Sequence, residues 1–233
     1  MMRDLFERIE PVRIADRVAS EIENAILTGA LRPGATLSSD ALARQFNVSH
    51  IPVREALQKL EAMGLIVREA NKSARIIDMS QPEIHQVFQV RQTLEGLAAS
   101  LAAPRLDGRV KQRLQTLVTK MRACTKTKDY PKLLAADKEF HETIWRLSDN
   151  RFLVTLLSNL VLPYFAHLAS RGYHVHQGEQ SYVPRVHQEI LDALATGDGQ
   201  HAEQVIVGVL ERSRKLMPVQ GPLNLSVAEP ESI

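Results

Sequence analysis

The N-terminal fold is decided by the stretch SSDALARQFNVSHIPVREALQKLEAMGL, residues 38–65. It holds two helical patterns. The first follows Ser38 or Ser39, either of which can cap a helix, and it ends at Asn47. The second runs from about 49 to 63, with leucines at helical spacing and a proline in the first turn, where a missing N–H removes no hydrogen bond. The stretch therefore predicts two short helices joined by a tight turn.

The flanking sequence adds a third helix and a pair of strands. Apolar residues recur at helical spacing over residues 12–27, and Gly29 is a natural C-cap. LIVRE at 65–69 and ARIID at 74–78, separated by ANKS, predict a small β-hairpin. Three helices followed by a hairpin are typical of a winged helix–turn–helix. In this fold the last of the three helices, here the pattern at about 49–63, is the recognition helix. It enters the DNA major groove and reads base edges with its first turn.

Six side chains of this layout are candidates for DNA contact: Arg44, Ser49, His50, Arg54, Lys72 and Arg75. Ser49, His50 and Arg54 belong to the start of the predicted recognition helix. Arg44, on the preceding helix, can reach a phosphate or a base. Lys72 and Arg75, on the wing, would meet the DNA backbone or the minor groove. The alternative is that the helices and the hairpin only pack together and Arg54 is a solvated surface residue, because this geometry also occurs in proteins that do not bind DNA. The net charge of +2 does not decide between them, although residues 44–75 hold six basic and three acidic side chains.

The composition is that of a soluble globular protein, with 44% hydrophobic and 24% charged residues, and 233 residues suffice for one large domain or two ordinary ones. Cys124 is the only cysteine, which excludes an intramolecular disulfide and a thiolate metal cluster. The charged N-terminus predicts no signal peptide, so we expect a cytoplasmic protein. Residues 152–170 carry no formal charge, but polar and helix-breaking residues favour a buried helix over a membrane span: Ser158, Asn159, Pro163 and His167.

From Ser80 onward the sequence predicts only helices. Ser80 and Glu83 form a capping box that opens a long helix ending at Pro104. Further helical patterns cover residues 106–126, 131–148, 151–171, 183–196 and 199–216. We therefore predict a mostly α protein with a winged helix–turn–helix domain at 1–79, an all-helical domain of about six helices at 80–217, and a tail at 218–233.

Three polar residues interrupt the apolar stripes of the helical domain. Asp137 and His141 lie four residues apart on the inner face of the 131–148 helix, and His187 lines up with the apolar residues of the 183–196 helix. A buried carboxylate needs a partner. Two interpretations remain open: an Asp–His hydrogen-bonded pair without an ion, or a divalent metal held by two ligands at i and i+4 and a third from a facing helix.

Arg91 is a fourth polar residue on an inner stripe, and Glu95 follows it at i+4. The two can form an intrahelical ion pair, worth a few tenths of a kcal/mol on an exposed helix. Alternatively, the guanidinium faces a pocket and binds the carboxylate of an effector. The remaining histidines, among them His174 and His176, are interpreted as surface or loop residues.

A metal-dependent hydrolase at the Asp/His site is the rival function. HETIW at 141–145 begins like a zinc-protease helix, but the position of the second histidine holds Trp145. The sequence contains no Gly-rich phosphate loop and no nucleophile elbow, so we assign no catalytic residue. A DNA-packaging protein is a third option, but it would not need a second domain with polar core residues and should carry a greater basic excess.

Over most of residues 12–79 the sequence resembles the DNA-binding domain of the GntR superfamily of bacterial transcription regulators. The resemblance lies in the G-x-L-x-P-G turn and the PVREAL-x-x-L-E-x-x-G-L run. It implies that Arg44, His50 and Arg54 contact operator DNA. His50 departs from the family pattern, which commonly has arginine there, and Ser73 stands where the wing usually carries glycine. The first departure concerns base preference and the second concerns wing geometry.

Residues 80–217 resemble the FadR-type effector domain, or FCD domain. The resemblance lies in D-x-x-x-H at 137–141, in H-x-E-I-L-D-A-L-A-x-G-D at 187–198 and in the first long helix. It implies a divalent transition metal such as zinc, nickel or manganese, held by one aspartate and three histidines, that helps to bind a small carboxylate effector.

Three of the four implied metal ligands are present, at Asp137, His141 and His187. The fourth position falls on Val209, which has no donor atom. The site is therefore either a weakened three-ligand metal site or one that has lost its metal, and we favour the weakened site because the three side chains remain on apolar stripes.

These features together predict a transcription regulator whose operator affinity is controlled by a small-molecule effector. We expect a homodimer on a palindromic operator, with half-sites about one helical turn apart and no membrane association.

Overall fold

The computed structural model describes residues 14–68, 73–170 and 182–216. Lys72, the two histidines at 174 and 176, and the predicted tail lie outside the described residues. Within these ranges the predicted mostly α fold is confirmed: an N-terminal head of three helices and a small sheet is followed by six helices.

The head contains three helices and a three-stranded antiparallel sheet. Its elements are α1 (Ile14–Leu27), β1 (Thr36–Leu37), α2 (Ser39–Phe46), α3 (His50–Ala62), β2 (Ile66–Val67) and β3 (Ala74–Ile76). The predicted hairpin is β2–β3, and β1 pairs with the other side of β3, so the strand order is β1-β3-β2. Ser38 is the N-cap of α2, and Asn47 ends that helix in the left-handed conformation at φ 52°.

An entirely apolar core holds the head together. The largest fully buried members include Ile22 and Ile26 of α1, Leu57 and Leu60 of α3, and Leu65. These positions follow the helical period that the sequence shows, and each buried large side chain contributes roughly 1.5–3 kcal/mol. The core fixes α3 so that its opposite face stays in solvent.

In the described residues from 81 onward, the second domain is built from helices. They are α4 (Gln81–Ala102), α5 (Gly108–Thr127), α6 (Tyr130–Leu147), α7 (Arg151–Ser170), α8 (Tyr182–Leu194) and α9 (Gly199–Lys215), with a 3-10 turn at Ala103–Arg105. The predicted capping box opens α4, since the Ser80 hydroxyl accepts from the Glu83 N–H and the Glu83 carboxylate accepts from the Ser80 N–H. One large apolar cluster fills the space between these helices.

Helix α7 is the only helix of the described ranges that is long and apolar enough to cross a membrane, yet more than half of its apolar window is buried within the fold. It packs against both domains. Leu162 and Ala166 belong to the core of the head, while neighbouring residues belong to the core of the helical domain.

His167 of α7 corrects a prediction from the sequence. It was grouped with surface and loop histidines, but it is buried, and its Nδ1 accepts a hydrogen bond of 3.2 Å from the backbone N–H of Met79. The reason is that the apolar stripe of α7 extends around both faces of the helix, because the helix lies between the two domains.

Candidate functional site

The first turn of α3 projects from the head. Ser49 is its N-cap residue, and the Ser49 hydroxyl makes no capping hydrogen bond to the helix. His50 and Arg54 are exposed, as is the serine. His50 Nδ1 lies 3.3 Å from Asp40 Oδ1 of α2. A helix end that presents a hydroxyl, a histidine and an arginine to solvent has the donors and acceptors needed to contact DNA.

Two further candidate DNA contacts are also exposed. Arg44 lies in the last turn of α2, and Arg75 lies on β3 between the buried Ala74 and Ile76. The alternation on β3 places the arginine on the solvent face of the sheet. Of the six predicted DNA-binding residues, the five within the described part of the chain are therefore all on the surface.

In the helical domain, two histidines converge on one carboxylate. His187 Nε2 of α8 lies 3.0 Å from Asp137 Oδ1 of α6, and His141 Nε2 of α6 lies 3.3 Å from the same oxygen. Their possible ligand atoms all lie within 4.8 Å of one another, and all three residues are buried. The structure thus brings together the three side chains that the sequence predicted as metal ligands.

Each imidazole has a second acceptor at its other nitrogen. His187 Nδ1 is 2.7 Å from the backbone carbonyl of Val183, and His141 Nδ1 is 2.8 Å from Glu95 Oε2 in a close ionic contact without hydrogen-bond geometry. A neutral ring with its proton on Nδ1 directs the Nε2 lone pair towards Asp137. A carboxylate oxygen facing two such lone pairs is stable only with a proton or a cation between them. The donor set therefore fits a divalent metal ion.

The guanidinium of Arg91 is the next member of this buried cluster. Its Nε donates a 2.6 Å hydrogen bond to Glu95 Oε1, and both side chains are buried. The guanidinium carbon also lies 5.1 Å from the ring centroid of Phe88 and 5.0 Å from that of Tyr164. The ion pair that the sequence offered as an alternative is present, but it lies in the core rather than on an exposed helix surface.

The charges of the cluster shift the pKa of its members. Burial opposes ionisation of Glu95, but the positive charges of Arg91 and His141 hold its pKa at about 2. Burial would lower the pKa of His141, but Glu95 and Asp137 raise it to about 9. Burial likewise opposes the charged form of Asp137, and its contacts with His187 and His141 nevertheless lower its pKa. Without a metal the cluster is therefore held together by alternating charges.

A cavity of about 50 Å³ lies beside the cluster. Its wall includes Arg91, Asp137, His141, Tyr164, His187 and Val209. Val209 is buried, so the position that the family resemblance assigns to a fourth ligand lies in the wall of the same cavity. A valine there offers no ligand atom, so three of the four positions that the resemblance implies carry one: Asp137, His141 and His187.

Sequence reasoning missed two residues of this site. Glu95 was considered only as an ion-pair partner of Arg91, whereas it also contacts His141 across helices. Its place on the inner stripe of α4 was the available signal, because a carboxylate at a core position needs more than one partner. Tyr164 gave no signal, since an aromatic residue in an apolar helix is ordinarily a core residue.

A head with an exposed helix end, joined to a helical bundle with a buried polar cluster, is an architecture typical of a DNA-binding regulator. The comparison with protein families agrees. The chain belongs to the gntR family of bacterial regulatory proteins: residues 14–76 match the family's DNA-binding domain, and residues 86–212 match the FCD domain. It is a transcription regulator, and this membership favours regulation over the hydrolase alternative.

Its relatives are regulators as well. The chain is 32% identical to the gluconate operon transcriptional repressor of Bacillus licheniformis over 67% of its own length and 65% of that repressor's length. It is 26% identical to a probable D-xylose utilization operon transcriptional repressor of Paenarthrobacter nicotinovorans, over 86% of this chain and 87% of the relative. The solved structure of E. coli McbR/YncC shares the fold with a TM-score of 0.73 at 20% identity, covering 88% of this chain and 97% of that structure.

Proposed function

We propose that this regulator binds a palindromic operator as a homodimer and that a small organic acid, bound at a metal ion in the helical domain, controls its operator affinity. The observation that carries this proposal is the convergence of two histidine Nε2 atoms on Asp137 Oδ1, with both Nδ1 atoms facing acceptors. We assign residues 1–79 to DNA binding, 80–217 to effector binding and dimerisation, and 218–233 to a tail, in a cytoplasmic protein.

The metal would be held by Asp137, His141 and His187. A divalent transition ion such as zinc, nickel or manganese suits this nitrogen and oxygen donor set. When bound, it would supply positive charge that attracts a carboxylate oxygen. Because Val209 leaves the fourth protein position empty of donors, at least one coordination position would be open to water or to the effector.

Arg91 is the second proposed contact for the effector. It lines the cavity and is held by Glu95 and by the neighbouring rings of Phe88 and Tyr164, so its orientation is fixed before any ligand arrives. A guanidinium next to a metal site offers a carboxylate ligand a second positive group. Specificity for organic acids would follow from these two charges.

The size of the cavity ties effector binding to movement. A volume of about 50 Å³ compares with roughly 10–15 Å³ needed by one water molecule on the same measure, so the cavity has room for a few water molecules. An organic acid of several carbon atoms would therefore need the cavity walls to separate. Helix α7 forms part of that wall through Tyr164, Phe165 and Leu168.

The same helix contacts the DNA-binding head. Leu162 and Ala166 pack into the head's core. Gly64, which follows α3, is so close to α7 that an added Cβ would lie 2.9 Å from Pro163 Cγ. A displacement of α7 would therefore reach the C-terminal end of the recognition helix. We propose this route for the coupling between effector and operator.

On the DNA side, Ser49, His50 and Arg54 are proposed to contact base edges or nearby phosphates, with Arg44 and Arg75 against the DNA backbone or the minor groove. Lys72 keeps its predicted role on the wing. A two-fold dimer would place two copies of α3 on half-sites about one helical turn apart.

The first experiment is elemental analysis of protein purified without a chelator or a histidine tag. We expect about one metal ion per chain in the wild type, and none in His187→Ala. His201→Ala is the matched control, because it removes an exposed histidine from α9 and should keep the metal. Wild-type protein that binds operator DNA but contains no metal, and takes up none on incubation with zinc, nickel or manganese, would contradict the metal site.

A second variant tests the open coordination position. Val209→His would place an imidazole in the cavity wall and should tighten metal binding, measured by competition with a chelator. Val207→His is its control, because that valine lies on the same helix but not in the cavity wall. Equal metal affinity in the wild type and Val209→His would argue against the proposed open position.

A further inference from the structure

Ile51 is the most exposed large hydrophobic side chain in the described part of the protein, at 70% exposure. It lies in the first turn of α3 and takes no part in packing the head, because Val53, Ala56 and Leu57 form the buried face of that helix. Single exposed apolar residues are common on protein surfaces. This one, however, is adjacent to His50 and three residues from Arg54.

His50 has a carboxylate beside one of its ring nitrogens. Its Nδ1 lies 3.3 Å from Asp40 Oδ1, and because a carboxylate can only accept, this neighbour favours the tautomer with the proton on Nδ1. In the neutral ring the remaining nitrogen, Nε2, is then a hydrogen-bond acceptor. An arginine at this position would offer only donors and would suit O6 and N7 of guanine. With Asp40 beside its Nδ1, His50 instead offers an acceptor, Nε2, to the base.

The two side chains together match one kind of base pair. In the major groove, adenine presents the N6 amino group as a donor, and thymine presents its 5-methyl group. Cytosine also has an amino donor, but a G·C pair has no methyl group for an apolar side chain to contact.

Resting on the proposed DNA-binding function, we propose that the first turn of α3 reads an A·T base pair. His50 Nε2 accepts from the N6 amino group of adenine, and Ile51 packs against the methyl group of thymine. These two residues, and not the arginine alone, set the sequence preference at this position of each half-site.

The experiment uses the full chain and a duplex enriched by the wild-type protein from a randomised DNA pool. Each thymine of that duplex is replaced singly by deoxyuridine, which lacks the 5-methyl group, and each adenine by purine, which lacks the 6-amino group. We expect each half-site to contain one A·T pair that is sensitive to both replacements. Deoxyuridine at its thymine should weaken binding roughly threefold, and purine at its adenine should weaken binding by a similar factor.

Variants connect each loss to its side chain. Ile51→Ala should abolish the sensitivity to deoxyuridine while keeping the sensitivity to purine, and His50→Ala should do the opposite. Ile14→Ala is the matched control, since it truncates another exposed isoleucine, on α1, and should leave both sensitivities unchanged. In a fresh selection, His50→Arg should replace the A·T pair by a G·C pair.

Two results would overturn the inference in distinguishable ways. If the wild type enriches a sequence and binds it tightly, but no single deoxyuridine or purine substitution depends on Ile51 or His50, this reading is wrong and the DNA-binding function stands. If the wild type enriches no sequence at all, the proposed DNA-binding function fails and this inference fails with it.

Discussion

The two domains build their cores from different chemistry. In the described residues of the head, the buried side chains are all apolar, and its candidate functional residues lie in solvent on α2, α3 and β3. In the helical domain, five ionisable side chains are buried together beside one cavity: Arg91, Glu95, Asp137, His141 and His187. One domain keeps its candidate chemistry outside its core, and the other keeps it inside.

The difference follows from the kind of partner each domain binds. DNA is larger than the head and must be met on a convex surface, so the core can be optimised for stability alone. A small ligand is bound by enclosing it, which requires polar groups in a region that excludes water. Such groups cost stability unless each has a partner, and that explains why the buried charges form a connected chain of contacts.

The largest effect is expected from breaking this chain of charges. Glu95→Leu leaves Arg91 buried without its ion-pair partner and should lower the free energy of unfolding by roughly 3–5 kcal/mol. Urea titration in the presence of a chelator measures this without a contribution from metal. Glu189→Ala is the control, because its pair with Arg212 is half-exposed and should be worth about 1 kcal/mol or less.

Removing both members of the pair should cost less than removing one. The double variant Arg91→Met/Glu95→Leu removes both charges of this ion pair, so Arg91 is no longer left as an unpaired buried charge. We therefore expect the double variant to be more stable than Glu95→Leu. If the two substitutions instead destabilised additively, the contact between Arg91 and Glu95 would not be the reason for the loss.

The head should respond only to the loss of apolar packing. Leu60→Ala, at a fully buried position of α3, should lower the free energy of unfolding by roughly 2–5 kcal/mol through the cavity it leaves. Urea titration followed by circular dichroism checks the value. The exposed Gln58 of the same helix provides the control, since Gln58→Ala should change stability by about 0.5 kcal/mol or less.

These cores also differ in how far the sequence predicted them. The head core and the helix ends could be predicted because helical spacing and capping residues act within a few positions, as Ser38, Asn47 and the box at Ser80 demonstrate. The pairing of β1 with β3 could not, because two residues are too few to show the alternation of a strand.

In the helical domain, the i, i+4 relation of Asp137 and His141 and the place of His187 on an apolar stripe were visible in the sequence, and the family resemblance implied that the three are metal ligands. The contact between Glu95 and His141 depends on how α4 and α6 pack, which no spacing within one helix encodes. The burial of His167 likewise depends on the contact between domains.

Arg54 separates function from stability in the head. It is exposed, so Arg54→Ala should leave the free energy of unfolding within about 0.5 kcal/mol of the wild type. Its proposed role predicts a loss of roughly 1–3 kcal/mol in operator binding if it contacts a base. Fluorescence anisotropy with operator DNA measures this loss, and Arg109→Ala on the surface of α5 is the control. Unchanged operator affinity in Arg54→Ala would remove this arginine from the recognition surface.

The smallest effect concerns the capping box at the start of α4, where an exposed carboxylate acts outside both cores. Ser80→Ala should lower the free energy of unfolding by about 1 kcal/mol, because it removes the side-chain cap of a 22-residue helix. The hydrogen bonds from the Ser80 hydroxyl and backbone lower the pKa of Glu83 in the folded protein.

A carboxylate with a lowered folded-state pKa stabilises the protein fully above its unfolded-state pKa, about 4.3, and loses that contribution as the pH falls through the lower folded value. The stability difference between wild type and Ser80→Ala should therefore shrink below about pH 4.3. Glu83→Gln is the matched control, because an amide can still cap the helix but does not titrate. In that background the effect of Ser80→Ala should not depend on pH over this range. A difference that stayed constant on acidification in the wild-type background would mean that the Glu83 carboxylate contributes nothing to the cap.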